Sequence, residues 1–229
     1  IFSICTGRPI QGVERYQKQL GIQGPVITYN GAMILDSADG RVLYRQELKA
    51  DDARLILEAG LNYDTTMCIW SDNKLYGNKL NDRIQEYSQA TKVTPFLMPS
   101  IDQLLARGIT KILWYDDISK IQQIEKKLRE TALFHNVTFC TSKPFYLEFF
   151  SSKVSKATAI DRIGEIYGFT QAETIAIGDG FNDLSMIRHA ALGAAMGNAP
   201  DGVKECADYI TTRTNNQDGV AEVLEKFIL

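Results

Sequence analysis

Apolar residues recur along this chain in two periods, and the switches between them mark out its elements. Ile1 to Cys5 is a mostly apolar run of strand length. Val13, Tyr16 and Leu20 then fall at helical spacing, with Gly21 as the stop, and Pro25 to Tyr29 is apolar again. Strand, helix and strand in that order predict a βαβ unit with a parallel pair and a right-handed crossover. Met33 to Leu35 and Val42 to Tyr44 flank Ser37-Ala38-Asp39-Gly40, the pattern of a hairpin with a glycine turn.

After Leu48 the rhythm changes. A helix is expected over Asp51 to Leu61, and paired strands at Thr66 to Trp70 and Lys74 to Tyr76 around Ser71-Asp72-Asn73. Ile101 to Ala106 reads as helix and Lys111 to Tyr115 as strand. Ile118, Ile121, Ile124 and Leu128 mark a longer helix, before strands at Val137 to Thr141 and Tyr146 to Phe150. Helices between hairpin strands predict a small α+β domain, an insertion at about 49–150. From Ser155 the α/β alternation resumes. Lys156 to Tyr167 is a helix with Ile160, Ile163 and Tyr167 inward and Gly168 as its C-cap. A strand at 175–177 follows, then an apolar stripe from Leu184, Ile187 and Ala191. Short strands at Leu192 to Met196 and Tyr209 to Thr211 precede a last helix carrying Val220, Val223, Leu224 and Phe227.

Composition narrows the class without naming a chemistry. The 229 residues suffice for one large or two small domains, and 45% hydrophobic with 23% charged is ordinary for a globular chain. A net charge of −3 with no basic block argues against nucleic acid, and no apolar run is long enough to span a membrane. Cys5, Cys68, Cys140 and Cys206 are widely spaced and are expected as reduced, mostly buried thiols of a cytoplasmic protein.

The chemistry is expected where strands stop. Ile177-Gly178-Asp179-Gly180-Phe181-Asn182-Asp183 sets a carboxylate at the C-terminal rim of a strand and a second one four positions later. Open α/β sheets place ligands at that rim, and paired carboxylates suit a hard cation such as Mg²⁺. The same stretch is also readable as a glycine turn with Asp183 as a plain N-cap. Thr6 offers a hydroxyl beside the N–H groups of Gly7 and Arg8, where a helix opening could receive phosphate. Lys156 starts another helix and can act as a point charge on an anion, with Lys153 as its competitor. Asn30 and Asn198 are read as turn residues, His135 and His189 as structural or surface groups, and the aromatic residues of 139–150 as domain core.

Together these stretches resemble one family. Thr6-Gly7-Arg8-Pro9, Tyr29-Asn30-Gly31-Ala32, Val154-Ser155-Lys156 and Gly178-Asp179-Gly180-Phe181-Asn182-Asp183 occur in the order seen in the haloacid dehalogenase superfamily, in its Cof-type branch of sugar-phosphatase-like hydrolases. Gly197-Asn198-Ala199, Ala207-Asp208-Tyr209-Ile210-Thr211 and Asp218-Gly219-Val220-Ala221 extend the similarity. The resemblance implies an α/β fold: a Rossmann-like parallel-sheet core from 1–48 and 151–229 with an inserted α+β cap at 49–150. It further implies a Mg²⁺-dependent phosphatase of small phosphorylated metabolites, sugar phosphates among them; whether the chain is a monomer or a homodimer stays open. By the same resemblance Thr6 and Lys156 are catalytic, Thr6, Gly7, Arg8, Lys156 and Asn182 bind phosphate or substrate, and Asp179 and Asp183 serve the metal.

One motif of that family has no counterpart. Its nucleophile is the first aspartate of an Asp-x-Asp-Gly-Thr/Ser run ahead of the Thr6 position, and Asp36-Ser37-Ala38-Asp39-Gly40 has the wrong spacing. Since the chain opens at Ile1 inside a strand-like run, the nucleophile is expected upstream, in a longer parent. The alternative is a non-catalytic phosphometabolite-binding protein that lacks the motif. A P-type pump domain shares the Gly-Asp-Gly-x-Asn-Asp turn, but Arg8 stands where such pumps resemble Thr-Gly-Asp.

Overall fold

The computed structural model describes residues 1–131 and 134–229; Ala132 and Leu133, inside the expected cap, lie outside the described residues. The chain divides into two compact units, residues 1–154 and 155–229.

The first unit begins with β1 (Ile4–Cys5), α1 (Glu14–Leu20) and β2 (Pro25–Thr28), and β1 pairs parallel to β2, as the βαβ pattern predicts. The stripe of α1 is not the expected one. Val13 and Gln17, four apart, are buried, whereas Tyr16 is 37% and Leu20 65% exposed. Thr6 to Arg8 do not open this helix either. Pro9 is extended, the first turn is a 3₁₀ turn over Ile10–Gly12, and α1 begins only at Glu14. A residue ahead of proline is steered out of the α region, which delays the helix. The antiparallel strands β3 (Met33–Asp36) and β4 (Val42–Arg45) complete a four-stranded sheet in the order β1-β2-β3-β4.

There follow α2 (Ala50–Asn62), β5 (Thr66–Ser71), β6 (Lys74–Gly77), α3 (Asp82–Thr91), β7 (Pro95–Leu97), α4 (Ile101–Arg107), β8 (Lys111–Tyr115), α5 (Ile118–Thr131), β9 (Val137–Lys143) and β10 (Tyr146–Ser151). They build a six-stranded sheet ordered β7-β6-β5-β8-β10-β9, in which only β6 and β7 are parallel. Asp72 and Asn73 both take positive φ, the backbone of a tight hairpin turn. Both α3 and β7 are absent from the sequence reading.

Successive residues of a strand point to opposite faces, and here both faces are covered. Met67, Ile69, Ile112, Trp114, Leu147 and Phe149 pack with Ile56, Leu57, Ile121 and Ile124 of the helices. Cys68, Trp70, Leu113, Tyr115, Tyr146 and Phe150 pack with Ile84 and Tyr87 of α3, and with Tyr29, Met33 and Leu35. The ring centroids of Tyr29 and Trp70 lie 5.5 Å apart, edge to face. This apolar layer packs Tyr29, Met33 and Leu35 against the six-stranded sheet. The same face holds an ion pair no pattern announced: Lys111 Nζ lies 2.7 Å from Glu148 Oε2, both side chains being under a tenth exposed. Of the four free cysteines only Cys68 is buried; Cys5, Cys140 and Cys206 are half-buried, fewer inside than expected.

The second unit is α6 (Lys156–Tyr167), β11 (Ile175–Gly178), α7 (Leu184–His189), β12 (Leu192–Ala195), α8 (Asp201–Lys204), β13 (Tyr209–Ile210) and α9 (Gly219–Phe227). Its three strands are all parallel, in the order β11-β12-β13. Ile187, Ala195, Ala199 and Val203 form a small core under them. Helix α7 stops at His189, so Ala191 falls outside the stripe expected of it.

Candidate active site

The parallel register collects the polar residues of the second unit at one edge. Gly178 pairs with Ala195, and Ala195 with Ile210. The residues that follow, Asp179, Gly197-Asn198 and Thr211 to Arg213, therefore leave the sheet together at its C-terminal rim.

Asp183 is the hub of that rim. It is buried, and its Oδ2 accepts from the N–H of Asp179 and the N–H of Gly180, each at 2.9 Å. Its Oδ1 receives the ammonium of Lys156 in a short hydrogen bond. Gly178 makes room for this: a Cβ on it would fall 2.4 Å from Cβ of Asp183. The carboxylate thus holds the turn of which it is part, satisfying two backbone donors that a strand end leaves without ladder partners.

Lys156 is buried because of where it lies on α6. That helix starts at Ser155, whose Oγ accepts from the Thr158 N–H at 3.0 Å while Thr158 Oγ1 accepts from the Ser155 N–H at 3.0 Å. It ends at Gly168 with φ 78°. The buried positions are Lys156, Ala159, Ile163 and Gly164, one helical stripe. Tyr167, expected inward, is 38% exposed, and Ile160 is only partly buried. The face is therefore rotated from the expected one, towards the lysine. Lys153 is exposed.

Asp179 is exposed, and its Oδ2 accepts from Nδ2 of Asn198 at 3.3 Å. Asn198, read as a turn residue, accepts in turn from the Asn215 N–H at 2.8 Å. Asn182 is exposed within the 3₁₀ turn Phe181–Asp183. The loop behind Asn198 is fastened by Glu222 of α9. Its Oε1 accepts from the Tyr209 hydroxyl at 2.7 Å and the Thr212 N–H at 2.9 Å. Its Oε2 accepts from Thr212 Oγ1 at 2.9 Å and the Arg213 N–H at 3.0 Å. The Tyr209 hydroxyl first, then the Thr212 N–H, hold the Glu222 carboxyl at about 2, well below the usual range.

In the first unit Thr6, Gly7 and Arg8 follow β1. Thr6 Oγ1 accepts from the Arg8 N–H at 3.2 Å, and the Thr6 carbonyl accepts from the Asn30 N–H at 3.0 Å. A Cβ on Gly7 would lie 2.8 Å from Oδ1 of Asn30, so the two residues pack closely. Asn30 is buried with φ 57°, a turn residue as read. His189 Nε2 meets Asp161 Oδ1 at 2.6 Å, and His135 is exposed.

Among the described residues no group of three or more His, Cys, Asp or Glu is placed to hold a metal. Asp179 offers an exposed carboxylate, while both oxygens of Asp183 already accept from protein donors. That donor set fits Mg²⁺, which keeps several waters and takes one or two carboxylates.

A family description of haloacid dehalogenase-like hydrolase matches residues 1–224. The chain belongs to that family. This hydrolase is 34% identical over 235 residues to YxeH of Bacillus subtilis (strain 168), which carries a provisional phosphatase name, across 99% of this chain and 85% of that protein. It is 30% identical over 226 residues to the 5-amino-6-(5-phospho-D-ribitylamino)uracil phosphatase YcsE of the same organism, across 99% of this chain and 81% of that one. Its fold is similar to a haloacid dehalogenase-like hydrolase from Bacteroides thetaiotaomicron, with a TM-score of 0.85 and 29% identity over 98% of this chain and 85% of that one. Family and relatives make it a phosphoric monoester hydrolase. No helix of the described residues is long and apolar enough to cross a membrane.

Proposed function

We propose that this hydrolase is a Mg²⁺-dependent phosphatase of small phosphorylated metabolites, sugar phosphates first among them, acting through an aspartyl-phosphate. The observation that carries the reading is the buried lysine: Lys156 is held by Asp183, which also holds the backbone of Asp179. A cation fixed in advance at a strand end lowers a barrier that depends on charge spread over phosphoryl oxygens.

In this reading Lys156 and Asn182 bind the phosphoryl oxygens and keep them oriented. Thr6 contributes its hydroxyl: because Oγ1 accepts from the Arg8 N–H, its own proton remains to be donated to an anion. Gly7 lets the backbone approach closely, and Arg8, exposed, reaches the substrate. Asp179 would hold Mg²⁺, and Asp183 would support that site through the turn it fastens. Bound there, Mg²⁺ would neutralise developing charge on the phosphoryl group. The nucleophile would be a carboxylate other than those of residues 1–229 named here. Its oxygen bonds to phosphorus as the ester P–O bond breaks and the leaving alkoxide takes a proton; water then releases phosphate. Residues 49–150 are the cap that selects the leaving group in a cytoplasmic enzyme, either monomer or homodimer.

A screen of the full-length protein against phosphorylated metabolites, with Mg²⁺ and with EDTA, tests this. Phosphate release that EDTA abolishes is the expected result. Binding of sugar phosphates without turnover would make it a phosphometabolite-binding protein instead.

A further inference from the structure

We propose that Asn198 is a positioning residue for Asp179, holding its carboxylate ready for a hard divalent cation. This rests on the reading of Asp179 as the metal-holding carboxylate.

The amide of Asn198 has one orientation. The Asn215 N–H, 2.8 Å from one amide atom, can only donate, so that atom is Oδ1. The other atom, Nδ2, carries only donors and points at Oδ2 of Asp179 at 3.3 Å. The backbone beneath it is pinned as well. The Gly197 N–H donates to Thr211 Oγ1 at 2.8 Å and the Ala199 N–H to the Met196 carbonyl at 2.8 Å. On the far side Glu222 fastens Thr212 and Arg213. Asp179 is thereby restrained twice, through its own N–H by Asp183 and through its carboxylate by Asn198. An exposed aspartate without the second restraint would spread over several rotamers and lose that freedom only on binding a metal. With Nδ2 on Oδ2, Oδ1 is the oxygen left to a cation. Groups that orient a metal ligand in this way contribute about 10–100-fold to metal affinity.

Calorimetric titration of Mg²⁺, with Mn²⁺ as a second probe, into the full-length protein and its Asn198→Ala and Asp179→Ala variants tests the assignment, alongside metal-free Tm. Asp179→Ala should abolish binding, and Asn198→Ala should raise the Kd by about 10-fold or more with the metal-free Tm near wild type. Loss in Asp179→Ala with an unchanged Kd in Asn198→Ala would overturn the positioning role alone. An unchanged Kd in Asp179→Ala would overturn the reading beneath it and the role with it. A Kd loss that tracks a fall in metal-free Tm would make Asn198 a loop residue and also overturn the role. Should Asn198→Ala not fold, Asn198→Ser, which turns accept, takes its place under the same criteria.

Discussion

Lys156 and Asp183, 27 positions apart in the chain, form a buried ion pair at the rim of the three-stranded sheet. Burying two charges costs several kcal/mol per ion, and their attraction offsets this only with good geometry and further hydrogen bonds. Asp183 has those bonds, from the N–H groups of Asp179 and Gly180.

The two lysines near the start of α6 should behave differently. Lys156→Ala should cost on the order of 10²–10³ in kcat/KM, by analogy with a lost oxyanion donor, while the exposed Lys153→Ala stays near wild type. Steady-state kinetics of both variants on the best substrate decides it. Equal losses would remove Lys156 from the site.

Gly178 should resist substitution more than Gly180. A methyl at Gly178 meets Asp183 Cβ at 2.4 Å, close to the main chain, whereas at Gly180 it meets the tip of the Asn182 side chain at 2.7 Å. Gly178→Ala should lose about 1–3 kcal/mol from overpacking, and Gly180→Ala less, because a side-chain tip can swing away. Thermal melts of both compare the costs. A larger loss at Gly180 would refute the packing argument.

The ion pair Lys111–Glu148 should show the asymmetry of buried charges. Lys111→Met leaves Glu148, among the described residues, with the Ser142 hydroxyl 2.7 Å from Oε1, and should cost about 3–5 kcal/mol. Lys111→Met with Glu148→Met should recover much of that, because two apolar side chains carry no desolvation cost. Denaturant unfolding of the first-unit signal reads both. A double variant worse than the single one would contradict this account.

Glu222 should make the stability of the second unit depend on acid. Its carboxyl titrates at about 2 in the fold, against about 4.3 in an unfolded chain. A depressed folded value gives stabilisation that is complete above the unfolded value and is lost as pH falls through the folded one. The gap in Tm between wild type and Glu222→Gln should therefore be constant near neutral pH and close between about pH 4 and 2. A gap that does not change with pH would mean that shape, not charge, holds the loop.

Local signals made much of this legible. Helix α6 has its capping box at Ser155 and its left-handed glycine at Gly168, both interactions within a few residues, and it lies where the sequence places it. The sheet edges were legible for the same reason: Gly-Asp-Gly after an apolar strand announces a strand end. Helix α3 was not, although Asn81 caps it by accepting from the Ile84 N–H. Its face is mostly polar and buries Ile84, Tyr87 and Thr91, too sparse a stripe to read. Strand β7 has three residues and exists by pairing with β6, a partner that its own sequence does not name.

The sequence by itself determined the two periods, most element boundaries and the family, and it supplied the candidates Thr6, Gly7, Arg8, Lys156, Asp179, Asn182 and Asp183 on which the proposed site rests. Caps, glycine stops and alternation act over a few residues and need no distant partner. Only the tertiary structure decided that Lys156 faces inward and Tyr167 outward. It also joined Asp183 to both Lys156 and the Asp179 backbone, and set Asn198 against Asp179. Those pairings depend on parallel strands aligning Gly178, Ala195 and Ile210. Such alignment is a long-range matter of register, so a turn residue read one position at a time remains only a turn residue.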